Sequence, residues 1–288
     1  TTSFWNNSNI TNCNFAFRSF GASTNSTTAG AFPSLNGITI ASGASFLSIF
    51  ENSAFNGDAS FTGVNFPSSA IDFSLAFYTA EFFNSNSKID FSNTTVKFSN
   101  LSSAFRRLVL DELIFGNNVD FSATTNFLRM FKANTLDNSQ QGPVGSVTFP
   151  TYNPSVATNI SFASATDMRE FANINFTTCQ SDNLIRALYG TKPNPSGNAN
   201  QLNLKTSAVT AAPSIVNGLV DELEANGYSI TVNSTDAALP FAYPAYVVDP
   251  DTGTTSLTPS TLPPLADRNF TSTNSSISVN QTTGVYNC

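Results

Sequence analysis

Two acidic residues have the type and spacing that hydrolytic chemistry requires. Asp90 and Asp120 are each the middle residue of an apolar–polar–apolar triplet, at residues 89–91 and 119–121. If these triplets form adjacent parallel strands, the two carboxylates project from one face about 4.8 Å apart. At that distance one carboxyl pKa rises or the pair shares a cation, and glycoside hydrolysis needs only two carboxylates. The alternative, which we favour, is a pair of solvated acids on the outer face of a sheet.

Other catalytic machinery is excluded by composition. The chain contains no histidine, which removes Ser-His-Asp and Cys-His nucleophiles, HExxH metal sites and imidazole acid–base catalysis. Neither a Walker A loop nor a GxGxxG motif occurs. We therefore predict no catalytic residues, no cofactor and no metal. A β-helix polysaccharide lyase or hydrolase is the least favoured alternative.

Half of the 12 basic residues fall in segments predicted to be helical, on one side of the molecule. A row of positive charge there would suit contact with anionic glycans. More commonly such residues lay their alkyl stems over apolar surface and leave the charge in water. The six residues are Arg106, Arg107, Arg129, Lys132, Arg169 and Arg186.

The elements that must position these residues recur along the chain. Eight apolar–polar–apolar triplets occur, and their third members are 25 to 30 residues apart. Alternation over three residues, with a β-branched first residue in most triplets, favours a short strand with one side chain outward. The triplets are residues 38–40, 64–66, 89–91, 119–121, 147–149, 174–176, 202–204 and 230–232.

An apolar residue followed four positions later by Phe forms a second repeated pattern. Two apolar residues at this spacing meet on one face of a short helix. Later in the chain, residues 182–190 and 213–227 also have helical spacing, the second between a Pro start and an Asn-Gly stop. The four pairs are Phe46/Phe50, Phe73/Phe77, Leu101/Phe105 and Phe127/Phe131.

Together these patterns predict an α/β solenoid with one short parallel strand and one short helix per 25–30 residue repeat. One such unit cannot bury its own apolar face, so neighbouring units must stack. We predict an N-terminal cap at residues 1–35, the repeats at 36–233, and a Pro-rich extended segment with a C-terminal tail at 234–288. Within that tail, Ile277 and Val279 alternate with polar residues, which is compatible with either a strand or a flexible end.

The repeats resemble the BspA-type leucine-rich repeats of surface proteins. The resemblance rests on the period, the strand triplets and the stretches "FSLAF" and "LSSAF", over roughly residues 36–233. Phe replaces most of the leucines, and an Asn after the strand is not regular. The resemblance implies a leucine-rich-repeat-like fold and extracellular recognition or adhesion, with no catalytic residues to transfer.

Composition favours a secreted or surface-displayed protein, on a cell or a virion. Charged residues are only 11% of the 288, and the net charge of −7 argues against nucleic acid as a partner. No stretch is long and apolar enough to insert in a membrane. Eleven N-x-S/T sequons predict a glycoprotein. Asn25, Asn93 and Asn269 are the glycosylation sites we expect.

Three cysteines permit one intrachain disulfide at most. In a straight solenoid Cys13 and Cys179 lie too far apart to pair. We predict a Cys179–Cys288 disulfide, with the tail running back along the solenoid. The alternative joins Cys288 to Cys13 of the next molecule and so builds a fibre.

We predict a non-catalytic binding or adhesion module that recognises a glycan or a protein surface, because a solenoid presents one continuous sheet to its ligands. The alternative is a structural subunit of an extracellular fibre or virion appendage, self-assembling through its termini. The predicted contact row is formed by the polar middle residues of the triplets. They are Thr39, Asn65, Asp90, Asp120, Thr148, Asn175, Asn203 and Thr231.

Overall fold

Short parallel strands from successive segments of the chain stack into a β-solenoid of about six turns, here called coils. The structure is a computed structural model that describes residues 9–21, 29–84, 86–132, 144–153, 160–172, 176, 178–199, 201–203, 216–231, 278–279 and 286–287. The predicted solenoid of stacked parallel strands is confirmed.

The strands and helices are short and follow one another in chain order. They are β1 (Asn9–Ile10), β2 (Gly30–Ala31), β3 (Thr39–Ile40), β4 (Ala54–Asn56), β5 (Ala59–Ser60), β6 (Ile71–Asp72), β7 (Glu81–Phe82), β8 (Lys88–Asp90), β9 (Val96–Asn100), β10 (Leu110–Ile114), β11 (Val119–Asp120), β12 (Val144–Thr148), α1 (Thr178–Thr191), β13 (Gln201–Asn203), α2 (Val216–Ala225), β14 (Ser229–Thr231), β15 (Ser278–Val279) and β16 (Tyr286–Asn287).

Each coil contributes strands to several parallel sheets. The longest runs β12-β10-β8-β5, and its inward residues are aligned and buried: Ile89 lies between Ala59 and Leu113. Two three-stranded sheets, β2-β4-β7 and β11-β9-β6, form other sides of the solenoid. The pairs β1-β3 and β13-β14 are also parallel.

The expectation that all triplets form one sheet is wrong. Asn65 pairs with Thr39, whereas Asp90 pairs with Ser60 and Ile114 in a different sheet. Three alternating residues indicate which side chains point inward but not which side of the coil the strand lies on. A repeat of 25 to 30 residues has room for more than one such strand.

The repeated apolar pairs lie in turns and not in helices, so the prediction of one short helix per repeat is wrong. Both residues of each pair are buried, as predicted. The backbone N–H groups along the pair donate alternately to the next coil and back within the same coil. The N–H of Ser48 donates to the carbonyl of Ser74 in the next coil, whereas the N–H of Ile49 donates back to Phe46. Six equivalent stretches of the chain are linked in this way from coil to coil, and we call them the turn segments. They are residues 13–19, 46–52, 73–79, 101–107, 127–132 and 168–172.

A left-handed residue recurs at one position of every turn segment. Its φ is between 52° and 58°, although none of these residues is glycine. This conformation interrupts a helical backbone and prevents the continuous i to i−4 bonding of an α-helix. The residues are Phe15, Ser48, Leu75, Ser103, Arg129 and Glu170.

A polar residue precedes each turn segment and accepts a hydrogen bond from the N–H two residues later. Asp72 Oδ1 accepts from Ser74 N at 2.9 Å, and Asn126 Oδ1 accepts from Leu128 N at 2.9 Å. These are Asx and Ser turns, which set the corner of each coil. We call this set the capping column: Asn12, Ser45, Asp72, Asn100, Asn126 and Asp167.

Stacked phenylalanines fill the core. One row follows the turn segments, with ring centroids 4.9 Å apart for Phe50–Phe77 and 5.7 Å for Phe105–Phe131. A second row follows the longest sheet, with 4.4 Å between Phe61 and Phe91. Because a ring in one coil stacks on the ring of the next, aromatic contacts follow the solenoid axis.

The two helices predicted late in the chain are confirmed. α1 lies against residues 149–152, where Gln180 Oε1 accepts from Phe149 N and Asn183 Oδ1 accepts from Tyr152 N. α2 ends in the predicted Asn-Gly pair: Gly227 has φ 100°, and the N–H of Tyr228 donates to the Leu223 carbonyl. This is a Schellman ending.

The regular ladder extends to the beginning of the described chain. Residues 13–19, within the predicted cap, donate to the second coil as later turn segments donate to theirs. At the other end, the predicted strand around Val279 is β15, which pairs antiparallel with β16. The Pro-rich segment at 234–268 lies outside the described residues.

Candidate functional site

The predicted contact row is divided among four sheets. Thr39 and Asn65 are exposed neighbours, with Asn65 Nδ2 3.5 Å from Thr39 Oγ1. Asp90 and Thr148 share the longest sheet, separated by Ile114. The remaining members lie elsewhere: Asp120 in β11, Asn203 and Thr231 as partners in β13-β14, and Asn175 outside the described residues.

Asp90 and Asp120 do not form a carboxylate pair, because they belong to different sheets. Each accepts a hydrogen bond at 2.7 Å from the N–H two residues later, and Asp120 also binds Lys97 at 3.1 Å. Partial burial acts to raise the pKa of Asp120, but the bonds from Ser122 and the charge of Lys97 outweigh it and lower that pKa. Both acids therefore stabilise local backbone, and they are not the register partners that the carboxylate-pair interpretation requires.

The outward side chains of the turn segments, here called the turn face, gather most of the predicted basic residues. Arg106, Arg107, Arg129, Lys132 and Arg169 all lie there, whereas Arg186 lies in α1. Aligning the repeats on the buried Phe places Arg106 and Lys132 at the same position of adjacent coils. The Arg106 guanidinium lies 5.3 Å from the ring centroid of Tyr78, which occupies that position in the preceding coil.

One carboxylate on the turn face binds two cations. Glu170 Oε2 lies 2.6 Å from Arg129 Nε and 2.5 Å from Lys132 Nζ. The hydrogen bonds from Arg129 and then Lys132 lower the pKa of Glu170 to about 2. Arg169 instead binds Asp167 at 2.7 Å. Sequence reasoning identified the basic residues but missed Glu170 and Tyr78, although Tyr78 directly follows the repeated Phe77.

A second unusual acid lies in α1. Oδ1 of Asp182 is buried and has no hydrogen-bond partner within the described part of the chain. Burial raises the pKa of Asp182 to about 7, against the opposing charge of Arg186 one helical turn away. The carboxyl is therefore partly protonated near neutral pH, and its ionisation is a cost of the packing around α1.

The cysteines are partly described. Cys13 is a buried free thiol, 5% exposed, and burial raises its pKa to about 11. The prediction that it does not pair with Cys179 is confirmed. Cys179 lies in the first turn of α1. Cys288 and hence the predicted Cys179–Cys288 bond lie outside the described residues.

Among the predicted glycosylation sites, Asn93 is exposed in the turn after β8. Asn25 and Asn269 lie outside the described residues. Within the described ranges no group of three His, Cys, Asp or Glu could hold a metal, and no helix is long and apolar enough to cross a membrane. A shallow pocket of about 260 Å³ lies between Phe32, Leu35 and Asp58.

Comparisons with protein-family models, with curated proteins and with solved structures found no significant match.

Proposed function

We propose that this protein is a non-catalytic binding module, displayed outside the cell or on a virion, that recognises a glycan or a protein surface. The main observation behind this proposal is that stacked coils hold outward polar side chains in rows, as at Thr39 and Asn65 or on the turn face. Adjacent coils are about 4.8 Å apart. The capping column and the ladders between coils hold these rows in place, so little side-chain freedom is lost on binding.

The low share of charged residues and the exposed sequon at Asn93 support an extracellular location. The likeness to BspA-type repeats supports adhesion as the biological role. The predicted contact row does not form one binding surface, because its residues lie in different sheets. On the turn face, successive described coils align charged and aromatic groups.

The second candidate function is a structural subunit joined through its ends, and one observation favours it. Phe15 and Phe20 in the first coil are 48% and 41% exposed. In addition, the carbonyls of Asn14 and Ala16 have no backbone donor among the described residues, whereas their counterparts in the second coil accept bonds. An open edge of this kind is a template for pairing with another chain.

The open edge also restricts how such a subunit would assemble. Within the turn segments, N–H groups of one coil donate toward the following coil, so the outer edge of the first turn segment offers acceptors only. Two first coils facing each other would place acceptor against acceptor, which leaves both unpaired. A fibre would therefore be head-to-tail. Linkage through Cys13 is disfavoured, because its thiol is buried and its pKa is raised.

Native mass and glycan binding, measured on the same preparation, separate the two functions. The binding module predicts a monomer that is retained on a glycan array or on cells. Concentration-dependent multimers without any retained ligand would support the structural subunit instead. Multimers that collapse on adding reductant would show that a disulfide joins the copies.

A further inference from the structure

Positive charge is concentrated on one part of the turn face. The fourth to sixth coils carry five cationic side chains there, Arg106, Arg107, Arg129, Lys132 and Arg169. Two carboxylates, Glu170 and Asp167, contact them. The net charge of this part of the turn face is therefore positive, although the net charge of the whole chain is −7.

Two cations elsewhere in the described chain are each matched by a single carboxylate. Arg18, at the same position of the first coil as Arg106 in the fourth, binds Glu51 at 3.1 Å. Lys97 binds Asp120 at 3.1 Å across adjacent strands. Solenoid packing alone therefore does not require unmatched cations at these positions.

The arrangement has an energetic cost in the unbound protein. Arg106 and Lys132 occupy equivalent positions in coils about 4.8 Å apart, and like charges aligned across neighbouring strands are destabilising. Among the described residues Lys132 contacts one carboxylate, Glu170, and shares it with Arg129. In addition, Arg106 Nε is buried without a hydrogen-bond partner in the described part of the chain. An anion bound here would reduce the repulsion.

We infer that the turn face of the fourth to sixth coils binds an acidic polysaccharide, one carrying carboxylate or sulfate groups. This inference rests on the proposed binding function and names the class of its ligand. The patch spans three coils, roughly 10 Å along the axis at the usual strand spacing, which suits a short charged stretch of a polymer. Arginine forks bind carboxylate and sulfate-like oxygens in two-point contacts, and Tyr78 adds an aromatic surface beside them.

A polysaccharide is favoured over nucleic acid because the rest of the molecule is acidic. A duplex extends far beyond a patch of this size and carries one charge per about 1.7 Å. It would be repelled by the surrounding negative surface. A flexible glycan segment contacts the patch alone.

Heparin, a sulfated polysaccharide, is the probe, with neutral dextran and duplex DNA as comparison arms. We expect the wild-type protein to bind heparin with an affinity that falls as salt rises, and to bind dextran and DNA far more weakly. Arg106→Gln with Arg107→Gln should weaken heparin binding roughly fivefold or more and reduce the salt dependence. Lys88→Gln, which removes one positive charge in β8 and outside the turn face, should leave binding unchanged.

A gain of function gives an independent readout. Glu170→Gln removes the carboxylate that holds Arg129 and Lys132, so heparin should bind more tightly. Circular dichroism and thermal unfolding confirm that each variant is folded before binding is measured.

Three results would overturn the inference. The first is equal loss of heparin binding in Lys88→Gln and in the double arginine variant. The second is DNA binding as tight as heparin binding, which would indicate general electrostatic attraction. The third is retention on neutral glycans or cells without heparin binding, which leaves the proposed binding function standing while removing the acidic ligand. Absence of binding to every glycan and cell surface would contradict both.

Discussion

At the scale of single residues, the phenylalanine rows carry the packing. Phe77 is fully buried, and its ring stacks on Phe50 at 4.9 Å and on Phe105 at 6.0 Å. A buried ring in such a row contacts both neighbouring coils, so its loss opens a cavity that the rigid ladder closes poorly. Phe15 lies on the outside of the same solenoid, 48% exposed.

Phe77→Ala should lower the free energy of unfolding by about 3–5 kcal/mol, the usual cost of removing a buried Phe. Phe15→Ala is the matched control and should cost less than about 1 kcal/mol, because about half of its surface already contacts water. Denaturant unfolding of both variants measures the difference. Equal losses would show that the stacked row is not the core.

The buried carboxyl of Asp182 makes stability depend on pH. Its pKa of about 7 in the folded state exceeds the unfolded value of 3.8, so the folded protein binds the extra proton between these limits. The contribution of the Asp182 carboxyl to the free energy of unfolding is therefore fully present below about pH 4 and is lost as the pH rises to about 7. Asp182→Asn should remove that slope and stabilise the protein at pH 8 by about 2–4 kcal/mol.

Denaturant unfolding of wild type and Asp182→Asn between pH 4 and 8 measures this effect. Asp221→Asn is the control, since Asp221 is exposed on α2 and its replacement should leave the wild-type slope unchanged. A slope in Asp182→Asn as steep as that of wild type would show that Asp182 is already ionised in the folded protein.

At the scale of elements, the turn segments combine an unfavourable backbone with favourable bonding. A left-handed non-glycine residue costs about 1–2 kcal/mol, and each turn segment contains at least one. The bonds from one coil to the next offset this cost, and the capping column sets the direction in which the chain enters each segment. The segments are therefore stable only as a stack.

Asn126→Ala tests the capping column. It removes the acceptor for the N–H of Leu128, and we expect a loss of about 1 kcal/mol, as for other side-chain caps. Asn126→Ser keeps a side-chain acceptor, as Ser45 provides in the second coil, and should stay within about 0.5 kcal/mol of wild type. Thermal unfolding of the two variants provides the measurement. A larger loss in the Ser variant would show that the cap is not what the side chain contributes.

At the scale of the whole molecule, the several sheets decide which outward residues become neighbours. Ser60 and Asp90 are register partners, so their Cα atoms lie about one strand spacing apart, within the range of a disulfide. Asn65 belongs to another sheet, paired with Thr39.

Paired cysteines distinguish this register from a single-sheet solenoid. Ser60→Cys with Asp90→Cys should form an intramolecular disulfide on mild oxidation, found by mass mapping of unreduced peptides. Asn65→Cys with Asp90→Cys, the pair that a single sheet would bring together, should remain reduced. The opposite pattern would contradict the sheet order described here.

Much of the solenoid is determined by the sequence alone. The period and the buried pairs such as Phe73/Phe77 follow from apolar spacing, and the end of α2 at Gly227 follows from the need for a left-handed residue. The polar residue before each pair, as at Asp72 and Asn126, was a further readable signal for the corners. These features are local, so the chemistry of neighbouring residues decides them.

Only the tertiary structure decided the rest. Two inward-facing residues four positions apart are compatible with a helical turn and with two tight turns. Hydrogen bonds to the next coil, such as that from Ser48 to Ser74, decide which backbone conformation forms. Likewise, alternation at Asp90 and Asp120 shows that both point outward but not that they lie on different sheets. The sequence therefore determined which side chains are buried, while the separation of the two acids and the gathering of cations around Glu170 depend on long-range register, which no local pattern encodes.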